Sequence, residues 1–381
     1  MLLHTVVSLL LLSVSETVRA TPCVAFDINW NLLAFGLDGK DFNAGPQATW
    51  TGSGNAADIT SSGRPPFDGA NTTCYLSQAR ISMLYNNAIY VLNGDSQSPS
   101  SIYIYDAAAK SWTTQAVTTG SFNPGSFDAI LDHDTNLFYA LSNNNLFSLD
   151  MGSLKAANSS PVSWVDNEQT PYPSNYQPVM ALAQNHVHFL NVPGVPAGSA
   201  EIFVIHYSYF QPLPQAYPLP DGSAFPASYG QATSFFQDSG VQEEFAFIPE
   251  DSSAVYVINV ETNTTQSLAG PTIKDPKATY FASTDSLVQL TSNGAVYFIP
   301  YQEGNTSANS AATWSNVKTL TLAAPPSTAS SSPSASSAGS LATGSSSGSG
   351  SGPAPNGALS GPAVDSGLVL TAVFGAMACI F

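Results

Sequence analysis

Between Cys23 and Leu322 the apolar residues alternate with polar ones in short runs that stop at Asn, Asp, Gly or Pro, and no helical period is visible. Alternation with period two predicts strands with one buried face, and the stops predict tight turns. The runs fall into groups of strand, turn, strand, gap, strand, several closing at a Trp. One group covers residues 79–85, 88–93 and 101–105 and closes at Trp112. The next covers 127–131, 137–141 and 146–149 and closes at Trp164. Then come 179–183, 186–192 and 201–207, followed by 232–236, 244–249 and 254–260. The last covers 278–283, 287–290 and 295–301 and closes at Trp314. An earlier segment, 24–37 with Trp50, reads as a sixth, irregular unit, or as a strand that closes the last one.

The second strands, beginning at Ile89, Leu137, Val187, Phe245 and Leu287, recur about every 50 residues, the spacing of propeller blades. A small sheet cannot bury both faces alone, but sheets stacked radially can, and closing the ring protects their edges. The expected fold is all-β, a six- or seven-bladed propeller, with a β-sandwich or β-solenoid as the rival. Recurrence of Trp50, Trp112, Trp164 and Trp314 at the ends of units predicts packing between blades rather than a sugar-stacking stripe.

Residues 89–112, IYVLNGDSQSPSSIYIYDAAAKSW, carry Gly94 after a second strand, Tyr105-Asp106 at the end of a third, and Trp112 six residues later. This resembles kelch-type propellers, the superfamily that includes the central domain of galactose oxidase. Leu149-Asp150 with Trp164 repeats the pattern loosely. The family's glycine doublet is reduced to Gly94, so the motif covers one or two units while the rhythm covers most of 24–322. Galactose oxidase would imply a copper site with a tyrosine cross-linked to a cysteine, a second tyrosine and two histidines. This chain departs from that pattern, with no spare cysteine if Cys23 pairs with Cys74 and no further metal-bearing domain.

The two ends have other compositions. Residues 1–20 read as a signal peptide, with an apolar run at 6–12 and small residues at Val18 and Ala20. From 323 to 356 the chain is Ser, Ala, Gly and Pro, a flexible stalk. Asn356-Gly357-Ala358, a polar spacer at 359–367 and an uncharged apolar tail at 368–381 form the pattern of a glycolipid (GPI) anchor signal. Asn356 is the expected attachment site, with Gly352 or Ser360 as neighbouring alternatives, and 357–381 would be removed. The propeller ectodomain is thus 21–322. Signal, stalk and anchor together resemble fungal cell-surface proteins, which implies an extracellular address at the plasma membrane or wall. Cys379 leaves with the tail, so Cys23 and Cys74 remain and are expected to pair in an oxidising compartment. Sequons stand at Asn71, Asn158, Asn263 and Asn305.

Charged residues make up only 9% of the chain, and the formal net charge is −17. Such a surface repels phosphate backbones and argues against nucleic acid as a partner. Three constellations raise the question of chemistry. His186 and His188 share one face of a strand, as metal ligands could. The run Asp132-His133-Asp134-Thr135-Asn136 begins like a calcium loop but lacks its later Gly and has Asn143 at the position of the bidentate Glu. Asp128 and Asp285 are the carboxylates to weigh as a glycosidase pair near the central opening. None amounts to a catalytic or metal assignment, and no cofactor is implied. The leading expectation is a non-enzymatic recognition protein binding an extracellular protein or polysaccharide through its loops. The alternatives are a carbohydrate-active enzyme and a structural wall glycoprotein, and the oligomeric state is open.

Overall fold

Strand pairing gathers the described chain into six sheets of four or five strands, with two small two-stranded pairings beside them. The computed structural model describes residues 21–77, 80–81, 84–237 and 241–323. The signal peptide, all but the first residue of the stalk, Asn356 and the anchor signal lie outside the described residues. Blade 1 contains β1 (Cys23–Phe26), β2 (Leu32–Leu37), β3 (Lys40–Asn43) and β4 (Ala57–Asp58). Blade 2 begins with β5 (Thr73–Ser77), is interrupted by the hairpin β6 (Arg80–Ile81) and β7 (Leu84–Tyr85), and continues with β8 (Ala88–Leu92), β9 (Ile102–Asp106) and β10 (Ser111–Gln115). After β11 (Val117–Thr118), blade 3 has β12 (Asp128–Asp132), β13 (Leu137–Ser142) and β14 (Asn145–Asp150). Its connection carries β15 (Val162–Ser163), parallel to β11, and leads to β16 (Val165–Gln169).

Blade 4 has β17 (Met180–Ala183), β18 (His186–Phe189), β19 (Ser199–Val204), β20 (Tyr209–Phe210) and β21 (Gln215–Ala216). Blade 5 has β22 (Gly230–Ser234), β23 (Glu244–Pro249), β24 (Ala254–Asn259) and β25 (Thr264–Ala269). Blade 6 has β26 (Thr279–Ala282), β27 (Ser286–Leu290), β28 (Val296–Pro300) and β29 (Ser315–Asn316). Two six-residue helices that the strand pattern did not predict, α1 (Thr306–Ala311) and α2 (Lys318–Ala323), complete the described chain.

The first strands of the blades line up as the inner ring, and a contact marks every junction. The Cys23–Cys74 disulfide joins β1 to β5, and Tyr75 Oη donates to Ala129 O at 3.1 Å between β5 and β12. The Met180 N–H reaches the Asp128 carboxylate between β12 and β17. Ser234 Oγ donates to Leu182 O at 2.6 Å between β17 and β22, and Thr233 Oγ1 accepts the Ala282 N–H at 3.2 Å between β22 and β26. Phe26 meets Phe281 at 5.9 Å between ring centroids and closes the circle. The ring has six blades, not seven, and it is neither a sandwich nor a solenoid.

The first segment is the sixth unit, a complete four-stranded blade, and of its two readings the alternative falls: β1 does not finish the last blade, and blades 1 and 6 meet across a seam. There Trp50 sits edge-on to Phe298 at 4.8 Å, Val317 and Leu320 enter the core of blade 1, and Thr319 exchanges backbone bonds with Ala56 and Trp50. The inner strand of blade 2 is β5, which carries Cys74, and the residues expected in that place include the β6–β7 hairpin.

Each anticipated Trp packs back onto the preceding blade, as its spacing predicted. Trp112 contacts Phe35 of blade 1, and Trp164 stands in one core with Tyr90 and Ile104 of blade 2. Trp314 Nε1 donates to Ala269 O of blade 5. Aromatic area at these seams supplies the hydrophobic drive that a lone blade lacks. Tight turns between strands use side chains that tolerate left-handed backbone, such as Asn143-Asn144 and Gln184-Asn185, all at positive φ.

Candidate functional site

A cavity of about 1100 Å³ occupies the axis of the ring, lined by the inner strands of blades 2 to 6 and by the connections leading into them. Its two ends differ. At the end where the inner strands finish, Phe236 packs on Trp30 of blade 1 at 5.3 Å, on His133 of blade 3 at 5.0 Å and on Phe281 of blade 6 at 6.4 Å. Residues from four blades thus meet across the axis and form an aromatic plug. At the other end, where the inner strands begin, the walls carry Asn71, Ser126, Asp128, Asn143, Asn144, Gln177, Tyr229, Gln231 and Glu250.

Asp128 opens β12 and lines the cavity, its carboxylate reached by the Met180 N–H of the neighbouring blade. Its Oδ1 accepts the Ala129 N–H at 3.0 Å, and burial raises its pKa to about 7 against the pull of the Ala129 and Met180 N–H groups. Desolvation disfavours the charged form and here exceeds the hydrogen bonds that favour it. Tyr229 is 40% exposed and precedes β22. Its hydroxyl pKa is raised by burial first, then by the charges of Asp128 and Glu250, so one phenol lies within the field of both carboxylates. The backbone ties these groups together, because Glu250 N–H donates to Tyr229 O at 3.0 Å. Gly230 lets the strand start so close to its neighbour, since a Cβ there would stand 2.3 Å from Ile248 O. Tyr75 and Tyr176 also line the cavity and also feel the Asp128 charge, each with its hydroxyl committed to a backbone carbonyl, of Ala129 and Leu190 respectively. Among the described lining residues there is no Lys, Arg or His. Lys274 and Lys277 stand outside it, near Asp251 and Asp275.

The structure does not bring Asp128 and Asp285 together. Asp285 follows β26, in the turn at the plugged end, where it accepts Ser283 Oγ at 2.8 Å and does not line the cavity. The carboxylate that shares the cavity with Asp128 is Glu250. In the segment weighed as a calcium loop, Asp132 closes its own hairpin, Oδ1 accepting Asp134 N–H and Oδ2 accepting Thr135 Oγ1. Asn136 reaches Ser77, Tyr90 Oη and Gly152 O between blades 2 and 3. His188 lies buried against Phe245 and Tyr217, and burial holds its pKa down to about 3. His186, on the same strand, is only half-buried and stands at its turn. The pair therefore divides between an interblade core and a rim.

Cys23 and Cys74 are bonded as expected, with Cα atoms 5.7 Å apart. Asn71, Asn158 and Asn263 are exposed. Asn305 is half-buried and caps α1, its Oδ1 accepting Ala308 N–H while Nδ2 donates to Gln302.

No protein-family model matches the chain, and no curated protein matches it. Among solved structures it is similar to YjhT, with a TM-score of 0.46 and 10% identity over 78% of this chain and 97% of that one. It is also similar to a chain of a nidogen/laminin complex, with a TM-score of 0.38 and 10% identity over 65% of this chain and 79% of that one. The six-bladed ring is established by the strand pairing itself.

Proposed function

We propose that the protein is an extracellular recognition module, a kelch-type propeller that binds a polysaccharide or protein ligand at the open end of its central cavity. The observation that carries this reading is the cavity's shape and lining: blind at the aromatic plug, and furnished at the other end with amides, hydroxyls, an exposed tyrosine and two carboxylates. A concave site with convergent polar groups is where a propeller scaffold carries specificity. The kelch assignment draws support from Tyr105 and Trp112, whose rings meet at 4.9 Å, and from Asp106, which caps the turn between them.

In this reading the chain is secreted, tethered to the membrane or wall through a glycolipid at Asn356, and held outward by the 323–356 stalk. Asn71, Asn158, Asn263 and Asn305 carry its glycans. Arrays of glycans and of surface proteins, probed with the wild type and with Tyr229→Ala, test it. Retention of a ligand by the wild type and its loss in the variant are expected, and no retention by the wild type would end the proposal. The raised pKa of Asp128 in a cavity shared with Glu250 favours one second reading, a carbohydrate-active enzyme with Asp128 as proton donor. Turnover of an array hit, abolished by Asp128→Asn, would decide for it.

A further inference from the structure

We infer that the ligand of this cavity is a saccharide bearing free, protonated amines, with Asp128 and Glu250 receiving the ammonium groups and Tyr229 lying against the sugar ring between them. The inference rests on the recognition reading above and names its ligand class.

Three features of the lining select that chemistry. The acidic side chains of the lining, its phenols apart, are the two carboxyl groups of Asp128 and Glu250, and the described lining residues include no Lys, Arg or His beside them. An ammonium would stabilise the ionised form of Asp128 that burial disfavours, whereas a neutral saccharide supplies no counter-charge and an acidic one adds like charge to the cavity. Tyr229 lies within the field of both acids and is 40% exposed, so its ring can take a ligand that touches both. A tyrosine beside a carboxylate is a receptor for an alkylammonium through combined charge and cation–π attraction. The remaining lining residues at the open end, among them Asn143, Asn144, Gln177 and Gln231, present amides, which match ring hydroxyls better than they match the aliphatic stems of a basic peptide.

Isothermal titration of the full secreted chain tests this with three probes, the tetramers of glucosamine, of N-acetylglucosamine and of lysine. The glucosamine tetramer is expected to bind about ten-fold more tightly than its acetylated counterpart. Asp128→Asn, its folding checked by thermal melting, should bring the affinities for the free-amine and acetylated tetramers together. Glu250→Gln, at an exposed position, should reduce the difference and leave the melting temperature unchanged. Equal affinity for the acetylated and free-amine tetramers would overturn the inference and leave the recognition reading standing. Tighter binding of the lysine tetramer would overturn it in favour of a basic peptide. Absence of binding by all three would remove the inference, and the array experiment then decides separately whether the cavity recognises anything else.

Discussion

The two ends of the central cavity lie at opposite ends of the same inner strands, yet they solve opposite problems. At the plugged end, His133 is buried against Phe236 with Nδ1 lacking a partner, and burial lowers its pKa to about 4. At the open end, Asp128 is half-buried and its pKa rises to about 7. Both groups are pushed toward neutrality by desolvation. The difference is access: His133 is buried under Phe236, which Trp30 and Phe281 back from blades 1 and 6, while Asp128 lines the cavity of about 1100 Å³. An uncomfortable group sealed in a core is part of packing, whereas one beside an opening is available to a ligand.

The largest expected effect comes from breaking the plug. Phe236→Ala removes a ring that touches blades 1, 3 and 6, and should cost about 3–5 kcal/mol in urea denaturation. Ligand affinity at the open end should survive wherever the variant stays folded, and loss of both would show that the ends are coupled.

A smaller effect sharpens the contrast through pH. The folded-state pKa of His133 lies below its ordinary 6.5, so its contribution to stability is present above that value and lost as pH falls toward 4. The wild type should therefore lose about 2–3 kcal/mol more than His133→Gln between pH 7 and 4. The comparison with the variant is needed because Asp132 and Asp134, raised by burial, act in the opposite direction. Parallel pH profiles for the two proteins would refute the account.

Asp128 should show the reverse sign at smaller size. Its folded-state pKa is raised from 3.8, so it contributes stability at low pH that is lost as pH rises through about 7. Asp128→Asn should gain about 1–2 kcal/mol over the wild type at pH 8 and show no such gain at pH 3, an allowance being made for partial exposure. A variant less stable at pH 8 would mean that the carboxylate is a structural element rather than one retained for binding.

The rhythm of the fold was legible because the second strands, such as β8 and β23, bury both faces and read as apolar runs bounded by turn residues at a steady spacing. The β13–β14 and β23–β24 hairpins fall within a residue or two of their expected places. Blade 2 was misplaced at its inner strand because β5, Thr-Cys-Tyr-Leu-Ser, is short and has its apolar residues flanked by Thr73 and Ser77. The segment after it is richer in apolar residues and drew the assignment. Outer strands such as β16, Val-Asp-Asn-Glu-Gln, are almost wholly exposed, so only the Trp beside them announced a fourth strand. At the site, Asp128 could be placed on an inner strand, but its partners could not be chosen. Which carboxylate shares its end depends on strand direction around the ring, and on that ground Glu250 belongs with it while Asp285 does not.

The seam between blades 1 and 6 also bears on how the molecule would carry load. No strand is exchanged across it, and the described chain ends in α2, whose Thr319 and Leu320 dock on blade 1. Tension applied beyond residue 323 would peel Leu320 and Thr319 from Trp50 and Ala56 before reaching any other part. On the far side of blade 1, the Cys23–Cys74 bond prevents the inner strands from separating. Force would therefore unzip this ring at one joint only, with the covalent link holding the opposite flank.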